Sequence, residues 1–491
     1  MSTQAVAYDN EAGPEKNYLR AHMNDGTVFG FNRWVVIDSL RIIQGKGNHY
    51  DHNRRRIATS PDSVFILNLS DVALFETNDF SGSGGPIALA ALTMAPTTVV
   101  TIICIINPKA CFGSCPTFYA WDGEKMQLMA EGFSSSIAKV FEESDIDMLH
   151  HARITGKEFS LRLTNEALES HAVKFADLLA VPKNQGQRVF STSDGRFFAV
   201  EKIYKPTACL APEGDCLRKV LEMDQDERYS TADPANLLEK EIVEITFRDT
   251  PQGETGLIIG SRQTFMTTFL FYQGIAHAGK RMPYYLAEVE RGNKRMQGYL
   301  TKIWDMLGPI EVFVQNERDK WVKAGEITEM GPIAADLRLL NLPDPGREEM
   351  KIRLRMTKGL WRIDQLGLVQ TDKPVSPVRI SPARVLKDSL EDPLALHLLC
   401  DTSAYLVTRP GDAYDLVYLL PENDREYELF LYSRGYYLEW MREEWLKEED
   451  RSKMAIMFAC PRQYLKMMAP EFKKIEPGIE EMFWNSRYVK N

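Results

Sequence analysis

Hydrophobic and polar positions alternate in short runs along most of the chain. Over residues 22–77, DGTVFGFNRWVVIDSLRIIQGKGNHYDHNRR alternates, turns at Gly45–Gly47, and is followed by SVFILNLSDVALFET. Runs of this length between Gly and Asp turns predict a small β-barrel or ribbon over residues 1–78. From Cys115 onward, CPTFYAWDGEKMQLMAEGF predicts a hairpin, with Asp122-Gly123 as the turn. Phe159, Leu161 and Leu163 then alternate with Ser160 and Arg162, and Val173, Phe175 and Asp177 form a second alternating run. That pattern predicts an antiparallel β-sandwich over residues 111–250.

The period changes at residues 262–307. Phe265, Phe269, Tyr272 and Ala276 recur every three to four positions, which predicts a helical insert. Such a stripe suits core packing better than a lipid or cofactor pocket. Period-two runs return in IEVFVQ, WVKAGEI, DLRLLNLP, MKIRLRM and LWRIDQLGLV. Lys351, Arg353 and Arg355 alternate with Ile352, Leu354 and Met356, so one face is charged and the other buried. Residues 251–372 therefore read as a second, jelly-roll-like β-sandwich carrying the insert. Pro374, Pro377 and Pro382 mark a linker. Residues 373–491 read as a mixed α/β region with helical runs over 435–451 and 460–482. In the first run Tyr436, Tyr437, Trp440 and Trp445 form an aromatic stripe at helical spacing. It suits docking on the second sandwich of the same chain or anchoring a partner protein. The predicted fold class is mainly β with helical inserts, an α+β multidomain chain.

Length and charge narrow the classes. The chain has 491 residues and a net charge of −10, which suggests about three domains and disfavours a general nucleic-acid binder. Residues 1–20 show neither a basic n-region nor an apolar h-region, so no signal peptide is visible. Residues 79–110 hold one long apolar segment. Its part 86–106 is long enough to span a membrane as a helix and equally fits a buried helix or hairpin. Seven cysteines occur, four of them in two close pairs, Cys111 with Cys115 and Cys209 with Cys216. Both pairs lie in Gly/Pro-bearing segments where a disulfide is geometrically possible, although spacing leaves the connectivity open. A disulfide implies an oxidising compartment, and the spacing fits a zinc site poorly.

Four runs carry a resemblance: NPKACFGSCPTFYAWDG, GSRQTFMTTFLFYQ, MTKGLWRIDQLGLV and LFLYSRGYYLEWMREEWLKEED. They resemble segments of uncharacterised bacterial cell-envelope proteins, often lipoproteins. More distantly, the CP-FYAWDG opening, LRLTNEALESHAVKFADLLAV and RLRMTKGLWRID are similar to β-modules that accompany repeat proteins of the ASPIC/UnbV group. The resemblance implies a fold pattern and an envelope setting, with no catalytic residues to carry over. No lipobox cysteine precedes Tyr18.

Candidate chemistry is sparse. No G-x-S-x-G, H-E-x-x-H, P-loop or C-x-x-C motif occurs. Acidic pairs such as Asp145/Asp147 and Asp224/Asp226 are numerous but follow no EF-hand spacing, and solvated faces explain most of them. The expectation is a non-catalytic, membrane-associated envelope protein that binds protein partners or a surface polymer, with no cofactor and no metal. The alternatives are a carboxylate-based glycan hydrolase or glycan-binding protein, and a cytoplasmic location. Trp440, Tyr436, Tyr437 and Trp445 are the candidate binding residues. Cys111, Cys115, Cys209 and Cys216 are the disulfide candidates.

Overall fold

The computed structural model describes residues 19–23, 27–51, 56–57, 63–77, 115–290, 292–328, 331–343, 349–421, 426–439, 445, 447–485 and 487. The fold is mainly β: several antiparallel sheets, none closed into a barrel, with a few helices. Sheet I is an open five-stranded sheet in the order Val64–Asn68, Ile42–Tyr50, Val28–Ile37, Leu19–Met23, Val72–Thr77. Gly45 and Gly47, read as a turn, lie inside the strand Ile42–Tyr50. Small residues are needed there for a different reason. A Cβ on Gly45 would fall 2.3 Å from the Phe31 ring, and one on Gly47 would fall 1.8 Å from the Gly30 carbonyl oxygen.

The remaining strands form four sheets. Sheet II runs Leu390–Glu391, Arg384–Lys387, Ala413–Leu419, Glu158–Thr164, Thr117–Trp121, Met126–Glu131. Sheet III runs Val378–Ile380, Glu169–Lys183, Glu426–Glu439, Glu143–Met148. Sheet IV runs Phe197–Val200, Arg188–Thr192, Asp336–Leu342, Thr255–Gln263, Trp361–Gln370, Ile203–Tyr204. Sheet V runs Gly214–Asp215, Ala208–Ala211, Lys240–Phe247, Met350–Thr357, Ile310–Gln315, Trp321–Ile327.

Side-chain parity stacks these sheets in the order II, III, IV, V. Along Glu169–Lys183, Leu178 and Ala180 enter the core shared with sheet II, while Leu179 and Val181 enter the core shared with sheet IV. Along Thr255–Gln263, Ile258 faces sheet III, whereas Leu257 and Ile259 face sheet V. Sheets III and IV are therefore apolar on both faces, which is why their strands read as near-continuous hydrophobic runs.

The pairing crosses the boundaries expected from the sequence. Sheets II and III combine strands from 117–183 with strands from 378–439, while 188–370 builds sheets IV and V. The longest ladder joins Glu169–Lys183 to Glu426–Glu439, from Glu169 opposite Glu439 to Lys183 opposite Glu426. Alternation predicts that a strand exists and says nothing about its partner.

The insert is three helices, Met266–Ala278, Met282–Glu290 and Lys294–Leu307. It begins at Met266 because Arg262 and Gln263 belong to a strand of sheet IV. Asn293 starts the third helix by accepting a hydrogen bond from the Met296 amide at 3.2 Å. At the C-terminus, residues 435–439 are strand rather than helix. FLYSRGYYLE satisfies period two as well as period three to four, and the ladder with Glu169–Lys183 decides between them. Helix Arg451–Ala459 begins at Asp450, whose carboxylate accepts from the Ser452 and Lys453 amides. Pro461–Ile475 and Ile479–Asn485 follow. These helices pack on the insert through Phe269 on Phe472 and Phe265 on Phe483, with ring centroids 5.2 and 4.4 Å apart. Glu480 ties the last helix to Arg262 and Arg362 of sheet IV. The apolar run 86–106 lies outside the described residues. Among the described residues no helix is long and apolar enough to cross a membrane.

Phe430 is fully buried between sheets III and IV, with its ring 4.9 Å from that of Phe197. Phe430→Ala is expected to cost about 3–5 kcal/mol of stability, read as a lower urea midpoint. A midpoint equal to wild type would contradict the stacking.

Candidate functional site

Where sheets II and III end beside the helical insert, a cavity of about 260 Å³ opens. Its floor is supplied by strands. Cys115 and Glu131 come from the sheet II side, and Glu169, Tyr437 and Glu439 from sheet III. Glu169 and Glu439 are direct cross-strand partners, as are His171 and Tyr437. Two acidic side chains facing each other across a ladder are unfavourable unless hydrogen bonds hold them. Here they are held. Glu169 Oε1 lies 2.7 Å from His171 Nε2, and Glu439 Oε1 accepts from the Tyr272 hydroxyl at 2.7 Å. Glu131 is buried, and its Oε2 accepts from the Ile333 amide at 2.7 Å. The backbone it meets turns at Gly331, where φ is +81° and a Cβ would strike the Glu131 carboxylate.

The walls come from the insert. Thr267, Thr268, Phe271 and Tyr272 belong to the first helix, and Leu300, Thr301, Trp304 and Asp305 to the third. Ser135, Glu143, Thr301 and Asp305 are exposed and form the mouth, while Cys115, Glu131, Glu169, Thr267, Tyr272 and Tyr437 are buried at depth. Burial, then the charges of Glu131 and Glu169, push the Cys115 thiol well above its ordinary pKa. Burial, then Cys115 and Glu169, raise the Tyr437 hydroxyl in the same way. Both therefore keep their protons at neutral pH and serve as hydrogen-bond donors rather than nucleophiles.

A second cleft of about 250 Å³ adjoins the first and shares Ser134, Ser135 and Glu143 with it. Its lining is rich in hydroxyls: Ser134, Ser135, Ser144, Thr192, Ser193 and Thr328, with Asp145 and Arg338. Arg338 Nε reaches Asp336 Oδ2 at 2.8 Å, and Nη2 reaches Asp145 Oδ1 at 3.4 Å. Behind this group Asp147 is 5% exposed, with Oδ2 buried and without a hydrogen-bond partner. Burial first, then the charges of Asp145 and Asp336, push its carboxyl well above the usual range. No group of three or more metal-ligating side chains forms among the described residues.

The residues singled out from the sequence distribute unevenly. Tyr437 lines the cavity, and the Trp445 ring lies 5.1 Å from the Tyr272 ring, which lines it too. Tyr436 points away and packs on Tyr405 at 5.6 Å. All three are buried within the chain, and Trp440 lies outside the described residues. Cys111 also lies outside them, and Cys115 is a buried free thiol on the cavity floor. Cys209 and Cys216 stand in contact as free thiols, their sulfurs 2.8 Å apart, with no disulfide formed. Of the insert stripe, Phe265, Phe269 and Ala276 are core, while Tyr272 reaches the cavity. Glu131, Glu169, Glu439 and Trp304 carried no sequence signal, because each is an ordinary residue within its element and only the pairing collects them.

Asp147 gives a test of the site's electrostatics. Unfolded, its carboxyl ionises near the ordinary value of about 4. Folded, it holds its proton to higher pH. The native state thus binds a proton that the unfolded chain has released, and stability falls as pH rises above about 4. Asp147→Asn removes that dependence. Its melting temperature should exceed wild type at a pH of about 8, with the gap closing towards about 4. A gap independent of pH would refute the assignment.

No protein-family model matches the chain, and no curated protein matches it. Among solved structures it is similar to BuGH86wt in complex with neoagarooctaose, at 9% identity and TM-score 0.16 over 46% of this chain and 33% of that one. It is similar to the secreted serine protease VesC from Vibrio cholerae at 10% identity and TM-score 0.15, over 44% of this chain and 47% of that one. It is also similar to the GH31 alpha-xylosidase from Xanthomonas citri, at 8% identity and TM-score 0.14 over 85% and 34%. The chain spans a third to a half of the length of these proteins. At these TM-scores the likenesses carry neither a shared fold nor an activity.

Proposed function

We propose that this protein is a non-catalytic binding protein of the cell envelope that takes part of a hydroxyl-rich surface polymer, a saccharide chain, into its two adjoining cavities. One observation carries the reading: an aromatic-walled cavity and a hydroxyl-lined cleft share Ser134, Ser135 and Glu143. Trp304, Phe271 and Tyr272 offer flat apolar faces to sugar rings, while the carboxyls and hydroxyls offer acceptors and donors to sugar hydroxyls. The envelope setting rests on the resemblance of the four sequence runs. Membrane attachment through residues 86–106 belongs to the same reading.

The test is a tryptophan-fluorescence titration of the full chain with cellotetraose, chitotetraose and maltotetraose. At least one sugar is expected to perturb the emission saturably. Trp304→Ala should weaken that sugar about tenfold, equivalent to about 1.4 kcal/mol. No response to any of the three would overturn the reading.

A hydrolase reading has one observation of its own, the facing carboxyls of Glu169 and Glu439 on the cavity floor. Glycoside hydrolysis uses two carboxyl groups about 5–10 Å apart. Here one is engaged by His171 and the other by Tyr272, which suits fixed acceptors better than proton delivery. The bound sugar is therefore expected to be recovered intact. Release of new reducing ends, abolished by Glu169→Gln, would favour the hydrolase instead.

A further inference from the structure

At the edge of sheet V, the strands Ala208–Ala211 and Gly214–Asp215 form a tight hairpin. Residues 212–215 make its exposed turn, with Gly214 at φ +122° and open space around it. Cys209 lies before the turn and Cys216 immediately after it. The Cys216 amide donates to the Cys209 carbonyl at 2.9 Å, so the two residues stand opposite each other as ladder partners do. Their sulfurs are 2.8 Å apart. Directly opposed, hydrogen-bonded residues of an antiparallel pair have Cα atoms about 5.5 Å apart, within the range a disulfide spans.

The surroundings differentiate the two thiols. The buried Arg228 guanidinium bridges Glu213, on the turn itself, and Glu241, on the next strand, through contacts of 2.7–3.0 Å. Its positive charge favours the thiolate form of both sulfurs. The sulfur–sulfur contact, in which either thiol can donate, raises Cys209 and lowers Cys216, and the Cys216 thiol also donates to the Cys209 carbonyl at 3.4 Å. Both are buried, Cys209 fully and Cys216 at 5% exposure beside the exposed turn.

We propose that Cys209 and Cys216 form an exchangeable dithiol that a small disulfide, such as oxidised glutathione, converts reversibly into an intramolecular disulfide. The Cys216 thiolate attacks one sulfur of oxidised glutathione and expels one glutathione thiolate, leaving a mixed disulfide. Cys209 loses its proton, attacks the Cys216 sulfur and expels the second glutathione. The two protein thiols together lose two hydrogens, and one molecule of oxidised glutathione becomes two of the thiol. The thiol with the larger thiolate fraction and better access makes the first attack, which assigns that role to Cys216.

The full chain is equilibrated in glutathione buffers from reducing to oxidising, acid-quenched, unfolded in iodoacetamide and peptide-mapped by mass. In the oxidising buffers the label should disappear from both Cys209 and Cys216, and their peptide should lose two hydrogens. Both changes should reverse when reduced glutathione is restored. In Cys209→Ser, glutathione should accumulate on Cys216 about tenfold faster than on Cys209 in Cys216→Ser. Exposed Cys400 reports that the oxidant is active. Full labelling of both residues at every ratio while Cys400 carries glutathione would overturn the proposal. So would a cross-link that reduced glutathione does not reopen. If the serine variants do not fold, the wild-type map decides alone.

Discussion

The double burial of sheets III and IV is the constraint on which the rest depends. A sheet covered on both faces has no water to satisfy its backbone, so every strand must find ladder partners along its length. Glu169–Lys183 meets that demand with three neighbours: Glu426–Glu439 along its whole length, and Val378–Ile380 and Leu406–Thr408 on the other side. All three come from beyond residue 377. The chain must therefore complete sheets IV and V before returning to close sheets II and III. Consecutive residues then serve different cores, and a slip of one position would exchange Leu178 with Leu179 and Leu257 with Ile258.

The cavity follows from where that stack stops. Beyond Val173 and Gly435 the facing residues of sheet III cease to be aliphatic and become His171, Glu169, Tyr437 and Glu439. Nearby, the sheet II strand Met126–Glu131 ends at Glu131, and Cys115 lies just before the strand Thr117–Trp121. Such polar ends need cover, and the insert supplies it with Tyr272 and Trp304. The insert is fixed in turn by the C-terminal helices, through the Phe269–Phe472 and Phe265–Phe483 contacts and the Glu480 bridges to Arg262 and Arg362. Segments hundreds of residues apart thus hold one small volume open.

Charge is handled locally at the same place. Asp145, Asp147 and Asp336 crowd one guanidinium, Arg338, and burial pushes the Asp147 carboxyl well above the usual range. Fixed dipoles and shared protons replace water as the means of keeping acids buried. The outcome is a polar wall with little freedom to rearrange.

The sequence by itself determined the elements. Alternation in EFSLRLT, MKIRLRM and LWRIDQLGLV, the Asp122-Gly123 turn and the Phe265–Phe269–Tyr272 spacing specify strands, a hairpin and a helix, because side-chain direction repeats with a fixed local period. Partners were not legible. YYLE in residues 436–439 satisfies two periods, and Gly45 and Gly47 read as a turn until the Phe31 ring and the Gly30 carbonyl are seen against them. The candidate site was still less legible. Glu131, Glu169 and Glu439 are three acids among 69 acidic residues; one ladder register brings Glu169 and Glu439 together, and Glu131 joins them from sheet II. Local sequence fixes which way a side chain points, while what it points at depends on contacts between segments far apart in the chain, and those only the tertiary structure decided.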